Sequence, residues 1–136
     1  MMAKAFYIEN MKEDVIEMLY KLVINLKKRC VDQLENARNL TFVSYHLTCY
    51  LGLSGRYDEA LALCNEAIEI GGKNYAFNYL PELKYNKAYC LHHLNRHDEV
   101  EALIHQAYYG CLSHEEKFLA DEIKERAEKN FGIIIK

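Results

Sequence analysis

Apolar positions return along most of this chain at the three- and four-residue steps of an amphipathic helix. Met11, Val15, Met18/Leu19, Leu22, Leu26, Cys30 and Leu34 form such a stripe, with Lys12, Glu17, Lys21, Lys28 and Asp32 on other faces. They predict one long helix over residues 10–38, opened by Asn10 as N-cap with Glu13 as its capping-box partner. Val23 widens the apolar face, and the rising polarity of Gln33–Asn39 marks where the second half bends or breaks. Thr41–Leu53 is next, crowded by Phe42, Tyr45, Leu47, Cys49, Tyr50 and Leu51 and so expected to be buried on most sides. Ser54-Gly55-Arg56 turns the chain, and Asp58-Glu59 open a helix that keeps its period through Ala60, Leu63, Cys64, Ala67 and Ile68 until Gly71-Gly72 stops it. Pro81 suits a first helical turn, giving Glu82–Leu94, a turn at Asn95-Arg96, and Asp98–Tyr109. Ser113 with Glu116 caps a last helix over 113–131, striped by Leu119, Ile123, Ala127 and Phe131. Residues 72–80 read as a turn or an extra turn of helix, since a lone strand there has no partner.

Two of these hairpins are copies. Tyr45, Leu51, Arg56, Asp58-Glu59, Ala62-Leu63 and Ala67 return as Tyr85, Leu91, Arg96, Asp98-Glu99, Ala102-Leu103 and Ala107, a constant offset of 40 residues without a gap. A fixed period of this size marks a helical repeat array. The expected organisation is one all-α domain over residues 1–136. It holds a long N-terminal helix (10–38), one repeat at 40–71, a second at 80–111 and a capping helix at 113–131, about six helices in all.

Composition narrows the class of work. The 136 residues carry a net charge of −3, and Lys27-Lys28-Arg29 is a short basic run. That is a poor footprint for nucleic acid, which needs clustered Lys and Arg. No run of 18 apolar residues reaches the length of a membrane span. Five cysteines, an odd number without close pairing, and no apolar leader read as reduced thiols in a cytoplasmic protein.

The segment Gly55-Arg56-Tyr57-Asp58-Glu59-Ala60, with Ala67 further on, resembles the tetratricopeptide (TPR) repeat. Thr48 and Ala88 fill the small-residue slot of its first helix, and Ala60/Val100 and Ala67/Ala107 those of its second. The chain departs from the family pattern at the Trp slot (Ser44, Lys84), at Lys87 opposite Leu47, and at Gly72 and Leu112 in place of the closing Pro; its period is 40 rather than about 34. Tyr45, Cys49–Tyr57 and Leu80–Ala88 are also similar to C-terminal TPR-like domains of bacterial helix-turn-helix regulators, relatives of peptide-pheromone receptors among them. The resemblance implies a right-handed superhelix of hairpins whose first helices line a concave groove for a peptide or protein segment. It also implies a regulator whose DNA-binding domain is absent from this chain.

By that implied geometry the groove is lined by Phe42, Tyr45, Cys49 and Leu53, and by Glu82, Tyr85, Tyr89, His92 and His93, with Asn86 able to bond a peptide backbone. The competing reading packs the tyrosines between helices. A metal is not expected, because His92 and His93 diverge by about 100° and no second pair meets Cys90 and His93. Nor is a catalytic residue or a cofactor, since the same geometry denies a Cys–His pair and no Gly-rich loop cradles phosphate. Ile133-Ile134-Ile135 either docks across a homodimer or folds back over its own last helix. Self-association through that tail and the apolar surface is the alternative function.

Overall fold

The amphipathic stripes form six helices among the residues that the structure, a computed structural model, describes (12–29 and 34–135). They are α1 (Lys12–Lys28), α2 (Leu34–Leu53), α3 (Tyr57–Lys73), α4 (Leu80–His93), α5 (Val100–Ser113) and α6 (Lys117–Phe131). Each packs on its neighbour in sequence, and α2 also lies beside α4. The described residues hold no strand, and the chain is an all-α helical array.

The N-terminal third differs from the single helix expected over 10–38. Helix α1 ends at Lys28 and α2 has begun by Leu34, so the polar stretch 34–39 opens α2. Its polarity is that of an amphipathic face: Ala37, Leu40 and Thr41 are buried while Glu35, Arg38 and Asn39 are exposed. Asn36 Nδ2 donates to the Arg29 carbonyl at 3.2 Å, tying the two helices across their junction. The phase of α1 differs too. Its core stripe is Ile16, Leu19, Val23 and Leu26, while Met18 and Leu22 stay exposed. Asn10, Met11 and Cys30, assigned to a cap and to the stripe, lie outside the described residues. On its other flank α1 is held to α3: Tyr20 donates its hydroxyl to Glu59 at 2.8 Å, Lys27 pairs with Glu66 at 2.6 Å, and Glu13 with Arg56 at 3.6 Å.

Four helix ends share one turn. The N–H of Arg56, Ala76, Arg96 and Glu116 donates to the carbonyl of Leu51, Gly71, Leu91 and Cys111, five residues back in each case. The residue before each donor is left-handed: Gly55 (φ 77°), Tyr75 (58°), Asn95 (59°) and Glu115 (60°). These are Schellman-type stops, and they fall every 20 residues, so the 40-residue repeat is two half-units of one helix each. The register explains two differences from expectation. Helix α3 runs through Gly71-Gly72 to Lys73 because its stop is the turn at Tyr75. Ser113 ends α5 instead of capping α6, because the turn at Glu115 must come between them; its hydroxyl donates to the Tyr109 carbonyl at 2.9 Å. Gly71 has a packing role. A Cβ there would lie 2.9 Å from the Ala76 carbonyl oxygen and 3.0 Å from Thr41 and Leu80 side-chain carbons.

A left-handed residue with a side chain is strained relative to glycine. Glu115 is exposed, so Glu115→Gly should raise stability by about 0.5–1 kcal/mol. Gly55→Ala, built into open space, should lower it comparably, and urea midpoints measure both.

The C-terminal tail folds back. Gly132 (φ 69°) ends α6 and donates to the Glu128 carbonyl, and the Ile133 N–H donates to the Ala127 carbonyl. Ile135 is buried in the core and Ile133 packs against it; Ile134 alone of the three is exposed. Ile133 and Ile135 are therefore spent inside the chain, which corrects their assignment to an oligomerisation surface.

Candidate functional site

The residues expected to line a groove separate into a buried set and an accessible set. Tyr85 and Asn86 of α4 and Cys49 of α2 are fully buried. Tyr85 fills the space between α4 and α6: its ring meets Phe131 at 5.8 Å and its hydroxyl accepts from Asn130 Nδ2 at 3.0 Å. Asn86 bridges α4 to α2, its Nδ2 donating to Thr48 Oγ1 at 3.0 Å and to Cys49 Sγ at 3.4 Å. Thr48 in turn donates to the Tyr45 carbonyl at 2.9 Å. These three are packing residues, and their place in a groove lining is withdrawn. The facing surfaces of α2 and α4 enclose Cys49 and Asn86, and α6 encloses Tyr85.

Tyr45 and Glu82 are buried at the edge of this contact. Tyr45 stacks on Tyr79 with ring centroids 5.2 Å apart, and burial, then the neighbouring Cys49, pushes its phenol well above the ordinary range. Burial also raises the Glu82 carboxyl to about 7; its own backbone N–H opposes the shift and the negative Glu116 adds to it.

The accessible set lies at the far end of α4. Tyr89 is half-buried and His93 exposed; His93 lies parallel to Tyr57 at 4.7 Å and tilts against Tyr89 at 4.4 Å. Burial and the adjacent His92 hold the His93 imidazole below its ordinary pKa, and burial raises the Tyr89 phenol. His92 is half-buried between His97 and Phe131, at 5.1 and 5.0 Å.

Beside Tyr89 opens a cavity of about 480 Å³, lined by Leu53 of α2, Tyr89 of α4, and Glu122, Glu125, Arg126, Lys129 and Asn130 of α6. Leu53 and the Tyr89 ring are the apolar part of its lining, and the rest is the polar and charged face of α6, on which Arg126 Nε bonds Glu122 Oε1 at 3.1 Å. Of the residues expected in the groove, Tyr89 and Leu53 line it; Glu82, His92 and His93 do not.

The α6 contribution was missed although the sequence carried its signal. Of the six α4 positions assigned to the groove, Glu82, Tyr85, Asn86 and Tyr89 fall after one more step of 40 on Glu122, Glu125, Arg126 and Lys129, while His92 and His93 fall on Gly132 and Ile133 beyond α6. The four on α6 all line the cavity. Helix α6 stands in the place of the first helix of a third copy, but the two tyrosines have given way to charges, Tyr85 to Glu125 and Tyr89 to Lys129, and Asn86 to Arg126; of the four only Glu82 returns, as Glu122. The repeat is therefore visible there in position and, at the aromatic places, not in residue type.

Among the described residues no group of three or more His, Cys, Asp or Glu is arranged to hold a metal ion, and no helix is long and apolar enough to cross a membrane. Burial raises the thiols of Cys90 and Cys111 to about 12, and that of Cys64 well above its ordinary value. Thiols so placed are protonated at neutral pH and poor nucleophiles. No protein-family model, no curated protein and no solved structure matches the chain.

Proposed function

We propose that this chain is a non-catalytic, TPR-like binding module that takes a peptide or protein segment in the groove between α2, α4 and α6. The observation that carries the reading is the open cavity at Tyr89, of a size to hold a few side chains and furnished as a peptide site. Apolar surface from Leu53 and the Tyr89 ring supplies contact area, and a few polar groups around it fix orientation. Arg126, Lys129 and Asn130 offer donors to backbone carbonyls or acidic side chains, and Glu122 and Glu125 offer acceptors.

In this reading the module is cytoplasmic, consistent with Cys49, Cys64, Cys90 and Cys111 being buried thiols rather than disulfides. In the same reading it is the sensor or oligomerisation part of a bacterial transcriptional regulator. Neither a cofactor nor nucleic acid is among its ligands.

Peptide-array screening followed by isothermal titration tests the groove. A ligand found this way should lose at least about tenfold in affinity to Tyr89→Ala, the truncation cost of a central aromatic anchor. Lys129→Glu should shift preference away from acidic peptides, whereas Lys124→Glu, outside the cavity lining, should not. Failure to find any ligand, or ligands indifferent to both Tyr89 and Lys129, would sink the assignment.

A further inference from the structure

Helix α1 carries a second apolar face that none of the described residues covers. Its flank toward α3 is occupied by Glu13, Tyr20 and Lys27 and their partners, and its inner face by the core stripe. On the remaining flank Met18 is 53% and Leu22 41% exposed. The surface continues onto α2, where Phe42 is 44% exposed. Leu22, Asn25 and Leu26 of α1 and Arg29 just past its end there line an open cavity of about 250 Å³ with Asn39, Phe42 and Val43 of α2. A contiguous exposed apolar surface of this kind marks an interaction site.

The charges along the flank select the occupant. Going one helical step at a time, it reads Asp14, Met18, Leu22, Asn25, Arg29: an acid at one end and a base at the other, both exposed. Neither end forms an ion pair within 4 Å among the described residues. The whole helix is polarised the same way, with Glu13 and Asp14 in its first turn and Lys27 and Lys28 in its last. Such a helix repels a parallel copy of itself and attracts an antiparallel one, in which side-chain charges and helix dipoles are both opposed.

We propose that this face is a two-fold interface with a second copy of the chain, α1 lying antiparallel against the partner's α1. With the axis between Lys21 and Leu22, Asp14 faces the partner's Arg29 and Met18 faces the partner's Asn25, each pair occurring twice, as a two-fold interface requires. Met18 is then aimed at the partner's cavity beside Phe42, and its flexible thioether suits an irregular apolar pocket. The surface is separate from the groove at Tyr89, so it stands or falls independently of the peptide-binding reading.

Sedimentation velocity of the full chain over a wide concentration series tests it. The wild-type mass should rise to that of a dimer. Asp14→Arg and Arg29→Asp should each weaken association by about tenfold or more, because each breaks two pairs at once. The double variant should restore it, and Leu22→Lys should abolish it. All three positions are solvent-exposed, so circular dichroism and melting should stay close to wild type at monomeric concentrations. A monomer at every concentration overturns the proposal and leaves the face to a different partner. A dimer that Leu22→Lys leaves intact, or that the double reversal fails to restore, overturns it as well.

Discussion

Tyr85→Ala is expected to lower the free energy of unfolding by about 3–5 kcal/mol, the range for truncating a fully buried large aromatic side chain. The ring has no exposed surface and lies between α4 and α6 against Phe131, so its loss leaves a cavity that the packed helices close only in part. Tyr85→Phe keeps the ring and gives up only the bond from Asn130, worth about 0.5–1.5 kcal/mol. Asn130 is exposed and can turn its amide to water, which places the cost at the low end. Chemical denaturation of the two variants separates packing from hydrogen bonding. The contrast with Tyr89, one turn further along α4 and half-buried beside the cavity, is the informative one. Tyr89→Ala should cost far less stability yet weaken ligand capture, whereas Tyr85→Phe should bind as wild type does. Equal stability losses at the two tyrosines would mean that Tyr89 is also a packing residue and that the groove begins elsewhere.

What separates Tyr85 from Tyr89 is invisible to periodicity. Both are tyrosines on one helix, and the enclosure of Tyr85 comes from Phe131, a residue far along the chain. Helix existence was legible because each helix repeats its own apolar spacing, and a spacing needs no tertiary partner to be read. The hairpin turns were legible where glycine stands at the left-handed position, as at Gly55. They were harder to read at Tyr75 and Glu115, where the backbone adopts the same conformation with residues that do not favour it. The phase of α1 failed for a related reason. With Val15, Met18 and Leu22 on one flank and Ile16, Leu19, Val23 and Leu26 toward the core, the helix offers two apolar stripes, and only packing against α2 distinguishes them. The α6 wall of the cavity obeys the 40-residue offset but holds charges, which a scan for apolar identity passes over.

Ending the chain at Phe131 is expected to cost about 2–4 kcal/mol, since it exposes the sites of Ile135 and Ile133, and full burial of an isoleucine side chain is worth about 1.5–3 kcal/mol. Ile135 is almost wholly buried and should account for most of the loss; Ile133 is covered in part, and Ile134, at 66% exposure, contributes little. Gly132 adds the left-handed stop that turns the tail back, with its N–H on the Glu128 carbonyl. The point variant Ile135→Ala should reproduce much of the effect, and Ile134→Ala almost none. Neither change touches the exposed flank of α1. The truncated chain, where folded, should therefore retain the dimer that Leu22→Lys removes. Unchanged stability with a mass reduced to that of the monomer would reverse the assignment: the three isoleucines would then be spent between copies, and the α1 face would need another occupant. The two truncation outcomes differ in sign on both measurements, because burial within one chain stabilises the monomer at any concentration, whereas burial between chains stabilises only the assembly.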